Sequence, residues 1–169
     1  MNRVEVSTVV RLPPEEVFEF LLEFRGYASY SEYLRSVRQF GDGGVGTEYA
    51  LRFEWWKLSY TARSEVTAVE RPDRIEWRLT KELDAAGHWL VEPVETDGEG
   101  PDTEVTFVAE YAPGSADEGI VDLPRFVSLG WVVERIKPKI RDEAERVVRR
   151  VVADLEGEER DVSLRIETR

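Results

Sequence analysis

The sequence predicts an α+β fold: one curved antiparallel sheet wrapped around a long C-terminal helix, with a short helix pair after the first strand. Three observations carry this. Residues 45–111 hold run after run of period-two alternation, which puts aromatic and aliphatic side chains on one sheet face and charges on the other. Residues 131–155 carry an apolar stripe at helical spacing instead. The strands follow one another with tight turns between them, which fits an antiparallel sheet. A sheet with one apolar face needs a cover, and the late helix supplies it. Such a wrap leaves room for a cavity.

Each element follows from its own residues. Residues 2–12 read as a strand with Val4, Val6 and Val10 in phase, ended by Pro13 and Pro14. Proline is tolerated in a first helical turn, and Glu15 and Glu16 place negative charge at the positive end of the helix dipole. Val17, Phe18, Leu21, Leu22 and Phe24 form that helix's apolar stripe, with Gly26 as the expected C-cap. Residues 27–34, rich in Tyr, read as a second short helix or a turn. Gly41, Gly43, Gly44 and Gly46 read as a hairpin turn; they lack the Lys-Ser/Thr pair of a phosphate loop.

Alternation then takes over. Tyr49, Leu51, Phe53 and Trp55 share one face, followed by Leu58, Tyr60, Ala62, Val66 and Ala68, with Trp56 and Lys57 making the turn between the two runs. Ile75, Trp77 and Leu79 continue the face after the turn at residues 71–73. Trp89, Val91 and Pro93 come next, then, across a loop at residues 96–102, Val105, Phe107, Ala109 and Tyr111. Residues 113–119 read as a loop and 120–129 as an irregular apolar approach to the final helix. That helix places Val132, Ile136, Ile140, Ala144, Val147, Val148, Val151 and Leu155 on one side and Lys139, Glu143, Arg146 and Arg150 on the other. Pro138 is expected to kink it or to mark its start. Val162, Leu164 and Ile166 alternate in the tail, which reads as an added edge strand or a mobile end.

Composition narrows the function. With 169 residues and no linker or repeat, the chain is expected to be a single domain, residues 1–169, large enough for a core and a pocket. The net charge is −12, and the bases are nearly all Arg, since Lys occurs only at Lys57, Lys81, Lys137 and Lys139. So acidic a surface repels phosphate backbones, so no nucleic-acid partner is expected. It fits a salt-rich cytosol, and equally an ordinary soluble acidic protein. The absence of cysteine excludes thiolate metal sites and thiol nucleophiles, and His88 is the sole histidine, so no two-histidine metal site exists. No G-x-S-x-G elbow surrounds any serine. No metal, cofactor or catalytic residue is expected. A charged N-terminus leading into a strand pattern, with no run of about 18 apolar residues, predicts a cytoplasmic protein without stable membrane insertion.

Several stretches are similar to the START-related helix-grip superfamily (SRPBCC), in its polyketide-cyclase and coenzyme-Q-binding-like branch: residues 13–21 (PPEEVFEFL), 24–27 (FRGY), 69–77 (VERPDRIEW), 87–93 (GHWLVEP) and 103–107 (TEVTF). The resemblance covers residues 1–155 and implies the helix-grip fold, with a cavity between sheet and last helix that holds a lipid, quinone, sterol or polyketide. Some members of the superfamily are enzymes and others carry their ligand.

The expected ligand-binding residues are Tyr49, Leu51, Phe53, Tyr60, Trp77, Trp89, Val91, Phe107, Tyr111, Val132 and Ile136. Trp77 and Trp89 read either as core or as ligand contacts, and the tyrosines either as satisfied core hydroxyls or as handles for a ligand carbonyl. By alternation Arg52, Arg63, Arg78 and His88 face away, and no carboxylate faces inward. The Trp55–Trp56 pair reads as hairpin packing or as a mouth that touches a membrane transiently. The expected function is carriage or sequestration of a hydrophobic small molecule. The alternatives are a polyketide cyclase or dehydratase using Tyr49, Tyr60 or Tyr111, and a protein-binding module similar to heat-shock ATPase activators.

Overall fold

The computed structural model describes residues 2–55, 58–81, 84–95, 102–112 and 129–168. In chain order these form β1 (Asn2–Val10), α1 (Pro14–Leu22), a 3₁₀ helix (Phe24–Ser29), β2 (Leu34–Phe40), β3 (Glu48–Trp55), β4 (Leu58–Glu70), β5 (Arg74–Leu79), β6 (Ala85–Val94), β7 (Asp102–Tyr111), α2 (Leu129–Glu156) and β8 (Arg165–Thr168). All strands lie in one antiparallel sheet of order β2-β3-β4-β5-β6-β7-β1-β8. This is the α+β helix-grip architecture that the resemblance implied, with the antiparallel sheet expected from the alternation.

The inner face is legible in the register. Val6 pairs with Phe107, Phe107 with Trp89, and Trp89 with Ile75, so four strands align their large apolar side chains in one row. Beside it, Trp77 lies opposite Gly87 and stacks on Phe107 at 5.8 Å with rings 10° apart. A Cβ on Gly87 would meet the Trp77 ring at 2.5 Å, so only glycine lets the indole lie flat across β6.

The structure departs from the expected elements at four points. Leu34–Phe40 is a strand that the alternation did not reveal, because this edge strand mixes Arg35, Arg38 and Gln39 with a buried Leu34, a half-buried Val37 and an exposed Phe40. The first helix ends at Leu22, before Gly26, and passes into 3₁₀ geometry. A register shift between Val66 and Ala68 moves Ala68 opposite Glu76 and brings Val69 opposite Ile75, so Ala68 leaves the face assigned to it. The final helix begins at Leu129, so Pro138 lies inside it and does not mark its start. The tail joins the sheet as β8, with Ile166 opposite Val6. The turn at Trp56 and Lys57, the loop at 96–101 and residues 113–128 lie outside the described residues.

The packed core sits where α1 and the 3₁₀ helix cover the sheet. Val17, Phe18, Leu21 and Phe24 meet Tyr49, Val66, Ile75, Val91 and Val105, and Val152 of α2 closes the cluster. Polar contacts tie this end together. Thr103 Oγ1 donates to Leu12 O at 2.7 Å, the Arg160 guanidinium donates to Val9 O at 2.9 Å, and Arg11 N donates to Glu156 Oε2 at 3.0 Å. Glu156 and Arg160 are paired at 2.8 Å, with the carboxylate almost buried.

Candidate functional site: a cavity between sheet and helix

Beside that core, and sharing Val10, Val17, Leu21, Val105 and Val152 with it, lies a cavity of about 720 Å³ between sheet and α2. The volume falls within the roughly 300–1,000 Å³ of small-molecule sites. Its walls come from β1 (Val4, Val6, Val10), α1 (Phe20, Leu21), the segment after it (Tyr27, Tyr30, Tyr33), the β3–β4 hairpin and one side of α2.

The expected binding residues divide. Phe53, Tyr60, Trp89 and Phe107 line the cavity. Tyr49 does not: it is 1% exposed and packs its ring 4.7 Å from that of Phe24, inside the core. Val91 is likewise core and Leu51 packs against it. Trp77 lies beside Phe107 rather than among the lining residues, and Tyr111, at the end of β7 between Asn2 and Ala85, is outside the lining as well. The side chains of Val132 and Ile136 fall outside those described.

The outward set holds on the sheet. His88 stands opposite Glu76 and Val108, off the cavity. Burial, then the Arg74 and Arg3 guanidiniums, lower its pKa below the ordinary imidazole value. Arg52 pairs with Glu54 at 2.9 Å, Arg78 pairs with Glu65 at 3.3 Å, and Arg63 lies over the Phe40 ring.

On α2 the expectation fails. Lys139 and Glu143, assigned to the solvent side, both line the cavity, so a carboxylate does face inward. Helical spacing explains it: residues 139, 143, 147, 151 and 155 form one i, i+4 row, and the last three are the apolar residues Val147, Val151 and Leu155. Polarity argued for solvent; position on the row argued for the cavity, and position won. Glu143 Oε1 accepts a hydrogen bond from Ser31 Oγ at 3.1 Å. Its Oε2 lies 3.5 Å from the Arg146 guanidinium and is the buried side-chain oxygen that accepts no hydrogen bond among the described residues.

The segment after the 3₁₀ helix supplies the lining residues that alternation could not find. Tyr30 donates to Asp154 Oδ2 at 2.8 Å, Arg150 donates to Tyr30 O at 3.2 Å, and Arg146 pairs with Glu32. These contacts strap residues 30–32 across α2. The concentration of tyrosines was the available signal. Burial, reinforced by Asp154, pushes the Tyr30 phenol up to about 12. Burial, with Tyr49 nearby, pushes the Tyr27 phenol well above its ordinary value, and its hydroxyl donates to Leu21 O. Both therefore act as hydrogen-bond donors rather than bases at neutral pH.

Among the described residues no group of three or more His, Cys, Asp or Glu side chains is placed to hold a metal ion, and no helix is long and apolar enough to cross a membrane.

Solved structures share this architecture. The Zhui aromatase/cyclase from Streptomyces sp. R1128 is 15% identical, with 92% of this chain and 94% of that one aligned at a TM-score of 0.63. A START superfamily protein from Mycobacterium smegmatis is 14% identical over 92% and 99% of the two chains, at 0.62. A Thermus thermophilus protein is 16% identical over 92% and 97%, also at 0.62. At these identities the likeness is one of fold. No curated protein matches the sequence significantly. The family model described as polyketide cyclase / dehydrase and lipid transport matches residues 1–152, and the chain belongs to that family.

Proposed function

We propose that the protein binds a hydrophobic small molecule in the cavity between the sheet and α2 and carries or sequesters it without covalent chemistry. The observation that supports this best is the lining itself: a 720 Å³ space walled by valines, leucines and aromatic rings, with few ionisable groups. Burying an apolar ligand there is favourable by about 25 cal/mol per Å² of apolar surface removed from water. Phe53, Tyr60, Trp89 and Phe107 are the ligand contacts in this reading. The whole chain acts as one ligand-binding domain.

Native mass spectrometry of the protein purified without detergent, followed by organic extraction, tests the proposal. A discrete apolar adduct released on unfolding is the expected result. Bare protein that also fails to take up an uncharged fluorescent probe would overturn it.

A second reading, cyclisation or dehydration of a polyketide-like substrate, gains from one observation: Glu143 and Tyr60 both line the cavity, giving a proton acceptor and a carbonyl-polarising hydroxyl in one chamber. Of the tyrosines first considered for that role, Tyr49 and Tyr111 lie outside the lining. Turnover of a poly-β-carbonyl compound that disappears in Glu143→Gln, with binding retained, would move the assignment from carrier to enzyme. The protein-binding alternative needs a filled cavity and an exposed apolar patch, and the open cavity argues against it.

A further inference from the structure

The cavity is graded from end to end. Along the α2 row, Lys139 and Glu143 come first, and Val147, Val151 and Leu155 follow. At 1.5 Å per residue Glu143 lies about 18 Å, and Lys139 about 24 Å, from the apolar end of the row. On the sheet, the β3–β4 hairpin turns Phe53, Trp55 and the hydroxyl-bearing Tyr60 to the Lys139–Glu143 end, whereas β6 and β7, three strands and roughly 14 Å away at the spacing of neighbouring strands, contribute Trp89, Val105 and Phe107.

The connections bring further groups to the Lys139–Glu143 end. Ser31 bonds Glu143, Tyr33 O accepts from Glu54 N at 2.8 Å, and Lys139 Nζ lies 5.9 Å from the Trp55 ring centroid. The two ends also differ in access: Phe53 is 37% exposed and Lys139 is exposed, whereas Val10, Val17, Leu21 and Val152 are each exposed by 5% or less. The apolar end is closed and the polar end is open.

We propose that the cavity selects a single-headed amphiphile, bound with its apolar end against Trp89 and Phe107 and with a neutral hydroxyl head between Lys139 and Glu143. This rests on the cavity-binding reading above. A hydroxyl both donates and accepts, so it answers the Glu143 carboxylate and the Lys139 ammonium together. An ether lacks the donor, and a carboxylate, though drawn to Lys139, meets Glu143 with like charge. Among the described residues Glu143 accepts a hydrogen bond at Oε1 alone, Oε2 lying 3.5 Å from the Arg146 guanidinium, and the terminal carboxylate torsion is soft, so the group can turn an oxygen to a ligand.

The test uses 1-dodecanol, its methyl ether and dodecanoate to displace uncharged N-phenyl-1-naphthylamine from the intact protein. The alcohol is expected to compete at concentrations lower by on the order of tenfold, as befits a hydrogen bond to a charged group. In Glu143→Gln, dodecanoate should gain a similar factor, and in Glu143→Leu the alcohol and the ether should converge. Orientation is read with 12-bromo-1-dodecanol, whose terminal bromine should quench tryptophan fluorescence in the wild type and in Trp55→Phe, and lose most of that quenching in Trp89→Phe. Equal competition by all three compounds in the wild type, no gain for dodecanoate in Glu143→Gln, or quenching that resides in Trp55 would each overturn the inference while leaving cavity binding intact. Failure of the naphthylamine to bind at all would instead overturn the cavity-binding reading.

Discussion

Tyr49 and Tyr60 stand on neighbouring strands with side chains on the same face, yet one is core and the other is cavity wall. Tyr49 lies under the 3₁₀ helix, where Phe24 fills the space above it and leaves 1% of it exposed. Tyr60 lies beside the open end of α2, stacked on Phe53 at 6.5 Å, with the void in front of it. The strands do not differ in kind; their covers do. The α1 unit meets the sheet with side chains that interdigitate, whereas the described apolar side chains of α2 that face it, Ala144, Val147, Val148, Val151, Val152 and Leu155, leave the gap open. A sheet of uniform alternation can thus be solid at one end and hollow at the other.

The sharpest way to break this contrast is to truncate one aromatic in each region. Phe18 is 1% exposed among packed neighbours, and Phe18→Ala should cost about 3–5 kcal/mol in chemical denaturation. Trp89→Ala should cost less than that range, because the face of Trp89 toward the cavity already lacks packing partners, and it should weaken uptake of an apolar probe. Equal costs with unchanged probe binding would make Trp89 simply core.

The next effect concerns what keeps the closed end closed. Burial raises the Glu156 carboxyl pKa, but the hydrogen bonds from Arg160 and from Arg11 N outweigh it and hold the group below its ordinary value. A depressed carboxyl contributes stability that is present above its unfolded pKa and is lost as pH falls through the folded one. Glu156→Gln should therefore destabilise by about 1.5–3 kcal/mol near neutral pH. The gap from wild type should narrow below about pH 4. Urea melts at pH 7 and pH 3 measure both, and a gap independent of pH would show that the clamp does not act through charge.

The smallest effect lies on the opposite face of the sheet. His88 has a lowered pKa, so folding favours its neutral form, and stability should decline slightly as pH falls below the unfolded imidazole value of about 6.5. His88→Gln should remove that decline. Because His88 is off the cavity, affinity for an uncharged apolar probe should vary by less than about threefold between pH 6 and 8.5 in either protein. A titration of binding that vanished in His88→Gln would place the imidazole in the cavity and reverse the face assignment of β6.

Some of the site could be read before any coordinates. Phe53, Tyr60, Trp89 and Phe107 follow from period-two alternation, and Val147, Val151 and Leu155 follow from helical spacing. Glu143 and Lys139 are not legible in the same way, because their polarity points to solvent while their place on the helical row points to the cavity. Tyr30, Ser31 and Tyr33 had no periodicity to expose them, since they lie in the connection between the 3₁₀ helix and β2 and are held there by contacts more than a hundred residues distant in sequence, such as Ser31 to Glu143.

What the sequence by itself determined is the order of strands and helices, the apolar face of the sheet and the stripe of the last helix, because backbone geometry converts spacing directly into facing. What only the tertiary structure decided is which part of that face is filled. That depends on the separation of sheet and α2, on the size of the side chains that meet across the gap, and on the long-range straps and clamps at residues 30–32 and at Glu156. None of these leaves a local pattern in the chain, because packing density is a property of pairs of surfaces and not of either surface alone.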